Sequence, residues 1–281
     1  MKVQFVKYQA LGNSFIVLDE IVEKPRLKKY ETIAQRICDP THGVGADGIL
    51  VVSKENDKLR ADIYNADGSW AEKSGNGIRI ASMHLLNKGL VKGKTADLIT
   101  GSGISSITFH AGSEKKRIIS ASLGKPVFDS KLIPVKADMK FFINQTLELE
   151  NRKLIVSAVS VGNPHLILYC DNFDYDWPGV GEILETHELF PNRINVGFVV
   201  VKDPENIYIR DYERGVGPTE SSGTGAAAAV VVSVMRGFTD HKVNVNTLAG
   251  VLQVSWDNKS DEILIKGPVE FICSGEFEPR K

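Results

Sequence analysis

Two short segments of this 281-residue chain carry one pattern, Ser74-Gly75-Asn76-Gly77 and Ser222-Gly223-Thr224-Gly225. Each opens a run with helical character, so each serine is placed to cap a helix. The glycines beside it let a ligand reach N–H groups that have no partner within the helix. Those donors and the helix dipole favour an anion such as a carboxylate. Taken singly, such a motif is more often an ordinary helix start. Two of them, about half the chain apart, point instead to a duplicated unit whose two helix starts flank one carboxylate.

Short polar stretches accompany the motifs. They are Leu11-Gly12-Asn13-Ser14-Phe15, Tyr64-Asn65-Ala66-Asp67-Gly68 and Gly162-Asn163-Pro164-His165, and Asn195 begins a strand after Arg193. One asparagine beside a glycine reads as a turn former. The set suggests a site that orients a zwitterion through uncharged donors and acceptors. Glu213-Arg214 in isolation would be a surface pair. Just before the second helix start, Arg214 fits a second carboxylate bidentately and Glu213 fits an ammonium group. His165, at an expected strand start, can assist proton transfer, whereas His42 and the remaining histidines have no partner by spacing. No His, Asp or Glu set has metal-ligand spacing. Gly43-Val44-Gly45-Ala46-Asp47-Gly48 leads into a strand, which is not the context of a phosphate loop or dinucleotide fingerprint. The expectation is a site without metal or cofactor.

Those residues need a scaffold. Alternating or β-branched runs at 3–8, 15–18, 49–52, 61–65, 155–161, 166–169, 195–201, 207–211, 251–256 and 263–266 read as strands. Helical character is confined to 30–38, 75–88, 179–187 and 223–235. In the second helix Ile78, Ala81, Leu85 and Leu86 mark one buried face, which leaves the other for solvent. The fourth is apolar all round, as expected of a helix enclosed by strands. The fold class is therefore α+β, with a sheet wrapped around one central helix, twice, in two pseudo-symmetric domains that face each other across one buried small-molecule site. The domain boundary is expected in the polar, Pro-containing stretch 124–151, which gives domains 1–123 and 124–267. The last strand, in 268–281, returns to the first domain.

Composition agrees with a small-molecule partner. Lys plus Arg number 34 against 35 Asp plus Glu, so no net field draws the chain to nucleic acid or an anionic membrane. Three cysteines, Cys38, Cys170 and Cys273, stand far apart in no CxxC pattern. They suit a reducing cytoplasm better than a disulfide framework. The N-terminus lacks the apolar core of a signal peptide, and the longest apolar run, 226–235, is far shorter than the roughly 20 residues of a membrane helix. A second copy of the chain, as a homodimer, is the one macromolecular partner left open.

In order along the chain, Leu11-Gly12-Asn13-Ser14-Phe15, Asn65-Ala66-Asp67-Gly68-Ser69, Ser74-Gly75-Asn76-Gly77-Ile78-Arg79, Gly162-Asn163-Pro164-His165, Asn195-Val196-Gly197-Phe198 and Glu213-Arg214-Gly215-Val216-Gly217 resemble the diaminopimelate epimerase family. The resemblance implies two β-barrel-like domains, each around a central helix, an active site in the interdomain cleft and no cofactor. It also implies interconversion of LL- and meso-diaminopimelate in lysine and peptidoglycan biosynthesis. By position, Asn13, Asn65, Asn163, Asn195, Glu213 and Arg214 would hold the distal amino and carboxyl groups. Gly75, Asn76, Gly223 and Thr224 would cradle the reacting α-carboxylate, and His165 and Glu213 would support the proton-transfer pair. That pair is two cysteines in the family, and here the positions carry Ser74 and Ser222. A cysteine of pKa about 8.5 reaches the thiolate near neutrality, whereas a serine hydroxyl needs a neighbour to take its proton. Ser14, Pro218 and Ser221 are smaller departures, from a common Asp, a frequent Glu and a small residue. The serines leave two alternatives open: a related one-base amino-acid isomerase or dehydratase, and a non-catalytic amino-acid binding protein.

Overall fold

The computed structural model describes residues 2–23, 27, 29–149 and 152–278. Glu150 and Asn151, at the end of the stretch expected to hold the domain boundary, lie outside the described residues. The chain forms two compact units, Met1–Ser122 with Lys266–Lys281, and Leu123–Ile265.

Unit 1 runs β1 (Val3–Ala10), β2 (Asn13–Asp19), α1 (Tyr30–Ile37), β3 (Gly48–Glu55), β4 (Lys58–Asn65), β5 (Trp70–Ala71), α2 (Gly75–Asn87), β6 (Thr95–Thr100), β7 (Gly103–Gly112) and β8 (Lys116–Gly124). Unit 2 runs β9 (Gln145–Leu149), β10 (Arg152–Ser160), β11 (Pro164–Tyr169), α3 (Trp177–Glu185), β12 (Asn195–Asp203), β13 (Asn206–Glu213), β14 (Gly217–Thr219), α4 (Gly223–Met235), β15 (Lys242–Thr247) and β16 (Gly250–Trp256). The chain leaves unit 1 within β8 and returns to it within β17 (Ile263–Phe277).

From β1 and from β10 the two units follow one order of elements and one pairing scheme. An antiparallel pair, β1 with β2 or β10 with β11, is followed across a helix by a parallel neighbour, β3 or β12. That neighbour pairs antiparallel with β4 or β13, which takes β6 or β15 as a parallel partner. An antiparallel partner, β7 or β16, completes the scheme. In unit 1, β7 pairs with β8, β8 with β17 and β17 with β1, so the strands close on themselves.

The closed sheet explains one departure from expectation. Every residue of α2 from Gly75 to Leu85 is buried, so this helix has no solvent face. Its polar positions had suggested one, but they are satisfied inside: Ser82 Oγ donates to Ile78 O, and His84 Nε2 lies 3.0 Å from Asp19 Oδ2. Ile78, Ile80, Met83 and Leu85 fill the rest of the barrel, each contributing roughly 1.5–3 kcal/mol on burial. In unit 2, α4 is buried from Gly223 to Ser233, as its all-apolar sequence requires.

α3 begins two residues before the expected 179, because the Asp176 carboxylate accepts from Gly179 N–H and Pro178 sits in the first turn. The stretch after Leu123 is not loose chain. Ile133, Val135, Phe142 and Leu147 join the core of unit 2 with Val156, Leu166 and Phe198.

Candidate active site

Both serine motifs are helix N-caps. Ser74 (φ −140°, ψ 120°) accepts from Gly77 N–H at 3.1 Å, and Ser222 (φ −113°, ψ 120°) accepts from Gly225 N–H at the same distance. The next N–H groups, of Ile78 and Ala226, go to the backbone carbonyls of the same serines. Helix geometry therefore leaves the N–H groups of Gly75 and Asn76, and of Gly223 and Thr224, as the first-turn donors for a ligand.

Behind the first cap lies Arg79, fully buried, with Nη2 donating to Asn76 Oδ1 at 2.8 Å and Nη1 to Gly75 O at 3.2 Å. Burial lowers its pKa to about 9, so it stays cationic at neutral pH, and Nε has no hydrogen-bond partner. Next to the second cap, buried Ser221 Oγ is also without a partner. Each helix start thus has beside it one buried polar atom without a hydrogen-bond partner among the described residues.

In unit 2 the expected residues form two linked chains. Asn163 Nδ2 donates to Thr224 Oγ1 at 3.3 Å, while Asn163 Oδ1 lies 2.9 Å from His165 Nε2. His165 is 1% exposed, and burial followed by the charge of Arg214 lowers its pKa to about 3. The imidazole is therefore neutral. With Nε2–H donated to the asparagine oxygen, Nδ1 is left as the acceptor. Such a ring orients neighbours and is no imidazolium donor at neutral pH. In the second chain, Asn195, the register partner of His165 on β12, donates to Pro164 O at 2.7 Å and accepts from Arg214 N–H at 2.9 Å. Both ends of this amide fix the loop that presents Arg214. Glu213 Oε1 accepts from Thr219 Oγ1 at 3.2 Å across the β13–β14 hairpin.

Unit 1 brings Asn13 and Asn65 towards each other through Asp47. Asn13 follows a two-residue hairpin turn in which both residues are left-handed, Leu11 (φ 52°) and Gly12 (φ 81°). The next residue, Ser14, donates through N–H and Oγ to Asp47 Oδ2 at 2.6 and 3.1 Å. Asp47 O accepts from Ala66 N–H, and Asn65 Nδ2 donates to Ser69 Oγ at 3.0 Å. The glycine-rich stretch 43–48 thus carries a carboxylate to Ser14.

Three buried acids or bases had no sequence signal. Glu185, 5% exposed at the end of α3, accepts from Gly215 N–H at 2.7 Å and Arg193 Nη1 at 3.3 Å, and so braces the Arg214 turn from behind. Asp211 lies under the first turn of α4, and burial, then the charge of Glu213, raises its pKa well above the carboxylate range. His84 joins Asp19 and Tyr8 at the far end of α2, beside a cavity of about 490 Å³ that holds none of the expected site residues. His42 is an exposed turn residue 3.3 Å from Asp39.

The family model for diaminopimelate epimerase matches residues 5–128 and 157–272, and so covers both units. The chain belongs to the diaminopimelate epimerase family. A diaminopimelate epimerase of Leptospira biflexa is 34% identical over 284 residues, spanning 99% of this chain and 100% of that protein. Another, of Caldanaerobacter subterraneus, is 37% identical and spans 98% and 99%. Among solved structures, a phenazine biosynthesis protein of the PhzF family from Bacillus anthracis superposes with a TM-score of 0.70 at 17% identity, covering 99% of this chain and 100% of that one. A hydroxyproline epimerase from Agrobacterium vitis does so with 0.70 at 13% identity, covering 98% and 91%. These likenesses establish the two-domain fold of this epimerase family, and the chain is an isomerase of the racemase and epimerase class. No helix among the described residues is long and apolar enough to cross a membrane.

Proposed function

We propose that this family member acts on diaminopimelate, interconverting the LL and meso forms without a cofactor by removing the α-proton with one group and returning a proton with another. The observation that carries the reading is the pair of serine-capped helix starts, each with free first-turn donors and a buried orphan polar atom beside it, Arg79 Nε and Ser221 Oγ. These suit the reacting α-carboxylate. The distal ammonium and carboxylate fall to Asn13, Asn65, Asn163, Asn195, Glu213 and Arg214. Asn195 and Glu185 fix the backbone of the turn that carries Arg214, and its exposed guanidinium, which gives Nη1 to Asn192 O, offers a grip on a second carboxylate. His165, neutral and bonded to Asn163, positions this network.

Ser74 and Ser222 are the proton-transfer positions. A hydroxyl is a far weaker acid than a thiol, so turnover is slow relative to a cysteine pair. Calorimetric titration with LL-diaminopimelate and with lysine, which lacks the distal carboxylate, tests the substrate. Binding of the first with at least tenfold preference supports the reading, and no binding of either overturns it.

A further inference from the structure

The two matching helix starts differ in charge. Counted from the capping serines, Arg79 of α2 and Ala227 of α4 hold the same place, and both are fully buried. The alanine shows that a methyl group fills this place in the repeat, so the helix start itself does not ask for a guanidinium. Electrostatics argue against one. Arg79 bonds only to neutral acceptors, Gly75 O and Asn76 Oδ1, and among the described residues no acid pairs with it. A buried cation without a counter-charge is costly, and a cation in the first turns of a helix opposes the helix dipole. The surroundings give no relief, since buried Leu50 and Ile63 lie against Gly77 in the same turn. Both penalties change sign once an anion sits on the first turn, where cation and dipole then act together across weakly screening, apolar surroundings. Asn76 belongs to the same arrangement. Its Oδ1 faces the guanidinium, which leaves the Nδ2 hydrogens for another acceptor, beside the N–H groups of Gly75 and Asn76.

We propose that Arg79 is a positioning residue for the carboxylate on the reacting carbon, supplying its counter-charge across the first turn of α2 and fixing the Asn76 amide that meets it. The start of α4, with Ala227 in that place, offers dipole and N–H groups alone, so the carboxylate is held chiefly from the α2 side. That the carboxylate is diaminopimelate's rests on the reading above, whereas the pull of this turn on a carboxylate does not.

Two measurements test it. The first needs no substrate. Ser74→Cys is alkylated at neutral pH with iodoacetate and, separately, with iodoacetamide, with Arg79 kept and with Arg79→Met added, and the peptide carrying residue 74 is followed by mass spectrometry. The thiolate displaces iodide from either reagent, so the ratio of the two rates cancels thiol acidity and reads the pull on a carboxylate. Expected is a fall of roughly tenfold in the iodoacetate-to-iodoacetamide ratio when Arg79 is lost, and an unchanged ratio overturns the proposal. The second is calorimetric titration with LL-diaminopimelate, with thermal melting alongside. Expected for Arg79→Met is binding weaker by roughly tenfold and a melting temperature no lower than the parent's, because an uncompensated buried charge is gone. Arg79→Lys, which keeps the charge, should bind within about threefold of the parent. A lower melting temperature with unchanged affinity marks a merely structural arginine and overturns the proposal. Arg79→Gln, neutral and able to donate to Asn76 Oδ1, replaces the methionine variant in both measurements if that variant does not fold. A parent that binds no diaminopimelate removes the functional reading, and the alkylation ratios still decide the role of Arg79.

Discussion

His165 and Asp211, both buried in unit 2, should make its stability depend on pH in opposite senses. His165 ionises at about 3 in the folded chain against 6.5 for a free imidazole, so below pH 6.5 the unfolded chain binds a proton that the folded one refuses. That contribution is complete above pH 6.5 and is lost as pH falls. Asp211 is protonated in the folded chain well above the 3.8 of a free carboxyl, so its contribution is complete at low pH and is lost as pH rises past 3.8. One proton of difference is worth about 1.4 kcal/mol per pH unit. Between roughly pH 4.5 and 6 the two effects oppose each other, and single substitutions unmask each: the imidazole alone makes stability climb by about 2 kcal/mol across the window, and the carboxyl alone makes it fall. Asp211→Asn should therefore gain stability from the lower to the higher pH, and His165→Gln should lose it. Urea unfolding at three pH values across the window, read by fluorescence, measures both. Variant curves that run parallel to the parent's would refute the protonation states assigned to these side chains.

Other outcomes follow from the same contacts. Gly225→Ala should cost about 1–3 kcal/mol, because the new methyl meets Asp211 Oδ1 and Cγ at 2.1 and 2.9 Å, while Gly77→Ala, which meets movable Leu50 and Ile63 methyls, should cost less on thermal melting. Asn195→Ala strips a partner from both Pro164 O and Arg214 N–H, and should raise the diaminopimelate KM with about 1–3 kcal/mol lost in stability by denaturant titration. Glu185→Gln keeps an acceptor for Gly215 N–H and should disturb KM less than Glu185→Ala in the same kinetic assay. Introducing thiols with Ser74→Cys and Ser222→Cys together should raise kcat at least tenfold in a stereochemical assay of product.

The serine motifs and the apolar helix 223–235 were readable because capping and all-round hydrophobicity are local signals, and the pairing scheme repeats as the two motifs do. Strands β6, β7, β8 and β15 were not, since runs such as Ile104-Ser105-Ser106-Ile107-Thr108 put small polar residues on the pleats, and only the paired strand shows that Ser105 is buried with its hydroxyl bonded to Ser122 O. α2 misled for a related reason. Arg79, Ser82 and His84 look like a wet face, but inside the closed sheet Arg79 and Ser82 bond to their own helix and His84 to Asp19 of β2. Within the site, asparagines beside glycines announced themselves. Asp211 and Glu185 did not, because a carboxylate in a strand or at a helix end is ordinary until burial shows what it supports. The glycine-rich stretch 43–48 likewise gave no hint that Asp47 would meet Ser14.

The central claim is proton exchange at an amino-acid α-carbon. Incubating the chain with LL-diaminopimelate in deuterated water, and following both α-deuterium and configuration, tests it most directly. Expected is slow deuterium entry accompanied by inversion to the meso form, faster once both serines are replaced by cysteine. Tight binding with no exchange in either the parent or the doubly cysteine-substituted chain would contradict it.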